Sequence, residues 1–376
     1  MKNINWLKEI IIDKLKYIWK KLKTFFKRIS ECIRLKRKHF MTYGIIILVS
    51  LLFMAVLNIL SSHIARAVPD QNSYLAWGGK DYAQVSCFTS RADAFTTDEL
   101  MRFEYELEKT LKDSTDDTSK WTDAYSGKGT LTVTNGNTSV KGTAYGVGND
   151  FFLFHPLQLV SGGYIDNDYV MKDYILLDEE SAWLLFGSAN VAGLSVNIND
   201  EPYLIAGVLK KPDNRFNNAS GNGEITFYVS YEALKKYDEK AAVTCYEVMM
   251  TNPVPHYAYD YVKKYFQTED SENGASESAD TAESDRNISV IENSDRSSFR
   301  SLWNHLKNFG INAMDLDEIS YPYWENVAMA YDSVLSFILC VRLLAILPAL
   351  ICVLLGLLEI YRSGKQKNTL APEKTF

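Results

Sequence analysis

The chain has 376 residues, enough for two or three domains, and a formal net charge of −7. That average conceals a split. Residues 1–40 carry 13 Lys and Arg against Glu9, Asp13 and Glu31, whereas residues 41–360 carry 23 basic and 43 acidic side chains. So acidic a bulk argues against nucleic acid as a partner, and basic ends around an acidic middle point to a membrane protein with its middle outside.

Residues 4–38 contain neither Gly nor Pro. Ile4, Leu7, Ile11, Leu15, Ile18, Leu22 and Phe25 recur at three- and four-residue steps, opposite Lys8, Lys16, Lys20, Lys23 and Lys27. This predicts a basic amphipathic helix on the anionic inner face of the bilayer, with Trp6 and Trp19 as interfacial anchors. The plainer alternative is a topogenic basic flank with helical bias. Met41–Ser61 then runs 21 residues without a charge, enough to cross a hydrocarbon core of ~30 Å. Ala65-Arg66-Ala67 has the form of a signal-peptidase site, but the apolar run is long and forty residues precede it, so a retained anchor is expected.

Beyond the first span, Ala83–Phe88 reads as a strand and Thr97–Lys112 as a helix that buries Leu100, Phe103, Leu107 and Leu111. Gly127–Gly148 is rich in strands and turns, with Asn135-Gly136 a hairpin signal. Ile225–Val229 predicts a strand and Tyr231–Tyr237 a helix. A second strand–helix–strand follows in Cys245–Met250, His256–Gln267 and Ile288–Ile291. Two such units suggest a split βαβ, ferredoxin-like α+β domain with a β-rich insertion between its halves. Residues 268–286 are acidic, Ser-rich and nearly devoid of apolar side chains, so a flexible surface loop is expected. Phe299–Phe309 is a further helix. From about Trp324, apolar residues at helical spacing run without a breaker into a second apolar stretch, Val334–Leu358, interrupted only by Arg342 and Pro348. One continuous helix, a stalk, is therefore expected to join the outer domain to the second span.

The insertion carries a more specific signal. Tyr174–Leu177 reads as a buried strand, Asp178 as a helix cap, Leu185-Phe186-Gly187 as the helix end, and Val196–Asn199 with Tyr203–Val208 as a hairpin closed at Asn199-Asp200. With Gly148–Phe152 and Leu157–Gly163 upstream, this order resembles the periplasmic core domain of the MacB family, over most of residues 66–325. The resulting layout is a cytoplasmic amphipathic helix (1–40), a first transmembrane helix (41–64) and an extracellular core domain (65–325). A stalk with the second transmembrane helix (326–361) and a cytoplasmic tail (362–376) complete it.

No catalytic, cofactor or metal motif is legible. The histidines His39, His63, His155, His256 and His305 are dispersed, no Gly-x-Ser-x-Gly elbow or phosphate-binding Gly-rich loop occurs, and the Gly127/Gly129, Gly146/Gly148 and Gly221/Gly223 pairs read as turn glycines. The chain is expected not to be an enzyme, with ATP and Mg²⁺ bound on a separate subunit. Cys87 and Cys245 form a candidate disulfide, or else two buried thiols. Cys32 is a candidate for acylation, and Cys340 and Cys352 are expected to stay thiols. Arg342 and Pro348 are candidate intramembrane functional residues; for Arg342 the bland alternative is a side chain that snorkels to the headgroups.

The family resemblance implies a membrane subunit that relays ATP-driven motion through stalk helices to the outer domain, exporting peptide- or antibiotic-type substrates. Its implied partners are an ABC ATPase, the lipid bilayer, a fuller permease or a second copy, and a membrane-fusion adaptor. The family has four membrane helices where two are legible here, which suggests a heteromer or an accessory role. The competing expectation is a sensor or scaffold regulating envelope proteins, as in the cell-division relatives of the family.

Overall fold

In a computed structural model the protein is described over residues 36–66, 69–113, 120–165, 172–268, 286–308, 319 and 321–369, with residues 19, 20, 23 and 34. The amphipathic helix expected over residues 4–38 lies almost wholly outside the described residues, as do Cys32, the interior of the 268–286 loop and residues 370–376. The chain divides into two compact units, residues 1–62 with 337–376, and residues 63–336.

In the first unit, helix α1 (Arg37–Ala65) faces the C-terminal part of the last helix, whose full extent is Tyr323–Thr369. Both are long and apolar enough to cross a membrane. They run antiparallel: the Leu57 carbonyl accepts a hydrogen bond from Arg342 at 3.0 Å, while Tyr43 donates to Glu359 at 3.3 Å at the other end. Small or slender residues are buried between them, among them Ser50, Ala349 and Cys352, as expected where membrane helices approach closely. Leu48, Leu52, Val56, Leu350 and Leu354 point outward and are exposed, a surface suited to lipid.

Pro348 lies within the last helix without ending it. It lacks an N–H, so the carbonyl of Leu344 loses its helical donor.

The second unit is built on one sheet of ten strands. Strands β1 (Tyr82–Thr89), β2 (Trp121–Asn135), β9 (Val243–Thr251) and β10 (Ile288–Glu292) stand in the order β10-β1-β9-β2. Helix α2 (Thr97–Asp113) crosses from β1 to β2, and α5 (Tyr257–Thr268) crosses from β9 to β10. This is the split βαβ arrangement anticipated from the repeated strand–helix–strand pattern. Leu100, Phe103 and Leu107 of α2 and Ala258, Val262 and Phe266 of α5 close one face over Val85, Cys87, Tyr246 and Val248.

The insertion occupies the other half of the sheet. Strand β3 (Thr138–Asn149) pairs with β2 along twelve residue positions from Ala124–Asn149 to Asn135–Thr138, so one long hairpin belongs to both halves. Beyond it lie β4 (Gln158–Gly162), β5 (Tyr174–Asp178), β6 (Ser195–Ile198), β7 (Glu201–Lys210) and β8 (Thr226–Ser230). Helices α3 (Glu179–Phe186) and α4 (Tyr231–Tyr237) cover its inner face.

Local chemistry sets these boundaries. Asp178 caps α3 by accepting from Ser181 N–H at 2.8 Å, Gly187 ends it in the left-handed region, and Asn199 and Asp200 both take positive φ in the β6–β7 turn.

Two sequence expectations are corrected. Gly127, Gly129, Gly146 and Gly148 lie inside β2 and β3 rather than in turns. There the strands meet close neighbours: a Cβ on Gly146 would stand 2.9 Å from Leu234 of α4, and one on Gly148 would stand 2.0 Å from the Tyr125 ring.

Cys87 and Cys245 are also not bridged. Their strands are neighbours, but Cys87 pairs with Tyr246 and Phe88 with Cys245. That one-residue offset turns the two thiols to opposite faces of the sheet.

Candidate functional site: a buried charged joint at the root of the stalk

A ferredoxin-like sheet has a second face, and here it is closed by the start of the last helix, α7 (Tyr323–Thr369). Trp324 is 2% exposed and packs between Tyr145, Phe151 and His155, with ring centroids 5.3, 5.5 and 4.4 Å away. Beside it the Tyr323 and Tyr228 hydroxyls meet at 3.0 Å. Helix α7 thus begins inside the domain core and leaves it as a single helix.

Around Trp324 runs a chain of buried polar groups. The Arg296 guanidinium donates to Glu325 through both terminal nitrogens and to Asp332 Oδ2 through Nε at 2.6 Å. Glu325 and Asp332 stand two turns apart and therefore on one side of α7. Arg296 also donates to Asn293 Oδ1 at 2.9 Å; Asn293 donates to Ser86 Oγ at 2.8 Å; and Ser86 donates to Glu247 Oε1 at 2.6 Å. The other Glu247 oxygen meets His155 Nε2, while His155 Nδ1 lies 3.6 Å from Asp70, an ion pair beyond hydrogen-bond length. The network joins β1, β9, the turn after β10 and the root of α7.

Its charge states follow from its geometry. Burial works against the His155 imidazolium, but Glu247 foremost, then Asp70, overrides it and raises the pKa from 6.5 to about 9. Burial pushes the Glu247 carboxyl upward, yet the His155 cation outweighs that and leaves its pKa below the usual value. For Arg296, burial again opposes the charge, and Glu325 with Asp332 more than restores it. His155 is 1% exposed, with its two ring nitrogens facing the Glu247 and Asp70 carboxylates. The arrangement holds a proton and fixes the root of a helix.

Sequence reasoning missed this site. Gln84, Ser86 and Glu247 are polar residues in strands that are otherwise apolar, which reads as a solvent-facing side, yet all three are at most 2% exposed. The usable signal is the pair Glu325 and Asp332, carboxylates on one face of a helix about to enter a membrane. Of the intramembrane candidates, Arg342 donates to the Leu57 carbonyl, and Pro348 stands six residues beyond it in the same helix. Neither belongs to the joint. Among the described residues, no cluster of His, Cys, Asp and Glu is arranged to hold a metal ion.

Fold and joint together define an α+β domain carried on helices of membrane-spanning length. The family model of the MacB-like periplasmic core domain matches residues 43–255, more than half of the chain, and the chain belongs to that family.

It is 31% identical over 90 residues to the macrolide export ATP-binding/permease protein MacB of Neisseria gonorrhoeae, and equally to that of Neisseria meningitidis serogroup B. The match takes in 23% of this chain and only 14% of the length of those relatives.

Among solved structures it is similar to the periplasmic region of MacB from Actinobacillus actinomycetemcomitans, at a TM-score of 0.39 and 14% identity, over 60% of this chain and 92% of that one. It is also similar to the extracellular domain of the noncanonic ABC-type transporter YknZ from Gram-positive bacteria, at a TM-score of 0.38 and 16% identity, over 55% and 99% of the two chains.

Proposed function

We propose that this chain is a non-catalytic membrane subunit of a MacB-like ABC export system. In this reading a separate ATPase subunit binds ATP and Mg²⁺ and hydrolyses the nucleotide. Its motion passes along α7 to the outer domain, which expels peptide- or antibiotic-type substrates. The observation that carries the proposal is the continuity of α7 from the Trp324–Arg296 joint to Thr369. A helix clamped in a domain core at one end and apolar beyond it transmits tilt and displacement with little loss. The basic ends and the acidic middle support cytoplasmic termini and an extracellular domain. Assembly with a fuller permease subunit or a second copy, and with a membrane-fusion adaptor, completes the proposed system.

The test is purification of the tagged protein from its native membrane in mild detergent, followed by mass spectrometry and stoichiometry. An ABC ATPase at a fixed ratio is expected, together with a permease subunit. If no ATPase co-purifies while other transporters in the same preparation keep theirs, the relay reading is wrong. Association with envelope proteins alone would then indicate a sensor or scaffold.

A further inference from the structure

Helix α6 (Phe299–Lys307) does not carry the chemistry of the joint, and half of its apolar face is uncovered. Ser298 caps it by accepting from Ser301 N–H at 3.2 Å. Leu302 is buried, but Phe299 is 60% and Trp303 36% exposed. The two rings lie one turn apart and stacked nearly parallel, with an interplanar angle of 8° and centroids 6.1 Å apart, forming one aromatic plate of two rings. Arg300 and Lys307 are exposed on the same helix.

What places this plate is its attachment to α7. Ser336 Oγ donates to the Leu302 carbonyl at 3.2 Å, and the His305 ring meets Ser333 Oγ at 3.1 Å. Ser333 and Ser336 bracket Val334, where the apolar stretch of α7 begins. Helix α6 is therefore pinned to α7 at the level where that helix enters the hydrocarbon. Exposed aromatic rings flanked by Lys and Arg are the side chains that partition into the headgroup region of a bilayer. In water the same plate would leave a contiguous apolar surface with no partner.

We propose that α6 is an interfacial anchor, whose Phe299–Trp303 plate sits in the headgroup region of the outer leaflet with Arg300 and Lys307 toward the phosphates. The inference rests on α7 being a membrane span and is independent of any ATPase. Anchored there, α6 would set the height of the domain and of the root of α7 on the bilayer.

The test uses the full chain in phosphatidylcholine nanodiscs, with a spin label at Trp303→Cys and, separately, at Asn304→Cys on the neighbouring face and Ile351→Cys in the span. Collisional relaxation is measured with oxygen, which concentrates in lipid, and with a water-soluble nickel chelate. The Trp303 label is expected to favour oxygen over nickel more than the Asn304 label does, and the Ile351 label to favour it most. A Trp303 label as open to nickel as Asn304 overturns the anchor. A Trp303 label shielded from both reagents also overturns it, because a protein would then cover the plate. Nickel access at Ile351 would instead remove the span itself, a failure distinct from that of the anchor. A second variant, Phe299→Ser, removes the more exposed ring; it should stay folded in detergent and weaken the oxygen preference of the Trp303 label over the Asn304 label, and an unchanged preference in the folded variant overturns the anchor.

Discussion

His155 keeps a proton that a free histidine would lose, because Glu247 and Asp70 face its ring. A folded-state pKa of about 9 against an ordinary 6.5 means that its ion pairs contribute fully below pH 6.5 and are lost as pH rises through about 9. Thermal stability of the full chain in detergent should fall across that window. Asp123, raised to about 8 by burial and then by Glu104, loses stability over an overlapping rise, so the informative quantity is the difference between wild type and His155→Gln. That variant should be less stable at pH 6, by about 3–5 kcal/mol because Glu247 is left buried beside a neutral group. The gap should narrow toward pH 9, and parallel curves would mean that His155 is neutral in the fold. Gly148→Ala tests the packing nearby: a Cβ placed 2.0 Å from the Tyr125 ring forces that ring to move, at a cost of about 1–3 kcal/mol in the same melt.

Arg296 is to the elements what His155 is to the residues, since its fork ties α7 to the turn after β10. Arg296→Met leaves Glu325 and Asp332 without their cation and should cost about 3–5 kcal/mol. Arg296→Lys should recover only part of this, because one ammonium cannot serve Glu325, Asp332 and Asn293 together. Chemical unfolding of the three proteins side by side checks the order; full recovery of wild-type stability by Lys would show that the fork geometry is irrelevant.

The contrast between elements also shows what could be read from the sequence. Helices α2, α4 and α5, the β6–β7 turn and the uninterrupted course of α7 were legible because each rests on local signals: periodicity, capping at Asp178, turn residues at Asn199 and Asp200. The ferredoxin-like order followed from the repetition of strand, helix and strand. The joint was not legible, since Ser86, Glu247, Asn293, Arg296 and Glu325 meet only through long-range pairing, and a polar residue in a strand ordinarily means solvent. The choice between a Cys87–Cys245 bridge and two buried thiols stayed open for a related reason, a register offset that no local pattern records.

At the scale of the whole molecule, Tyr323 and Trp324 belong to the domain core although the helix they begin becomes long and apolar enough to cross a membrane. Thirteen Lys and Arg before residue 41 and the acidic domain after it give the proposed orientation, which labelling of the Asn304→Cys variant in intact cells with a membrane-impermeant thiol reagent would check; reaction from outside is expected, and protection in intact but not lysed cells would reverse the topology. A relay requires more than orientation: the root of α7 must move with the sheet, not slide over it.

Hydrogen exchange of the full chain in nanodiscs measures this directly. The amides of residues 324–332 are expected to exchange as slowly as those of β1 and β9, because Trp324, Glu325 and Asp332 open only when the core opens. Exchange of that segment at the rate of the surface turns, with β1 and β9 still protected, would contradict it and leave the helix without a grip on the domain.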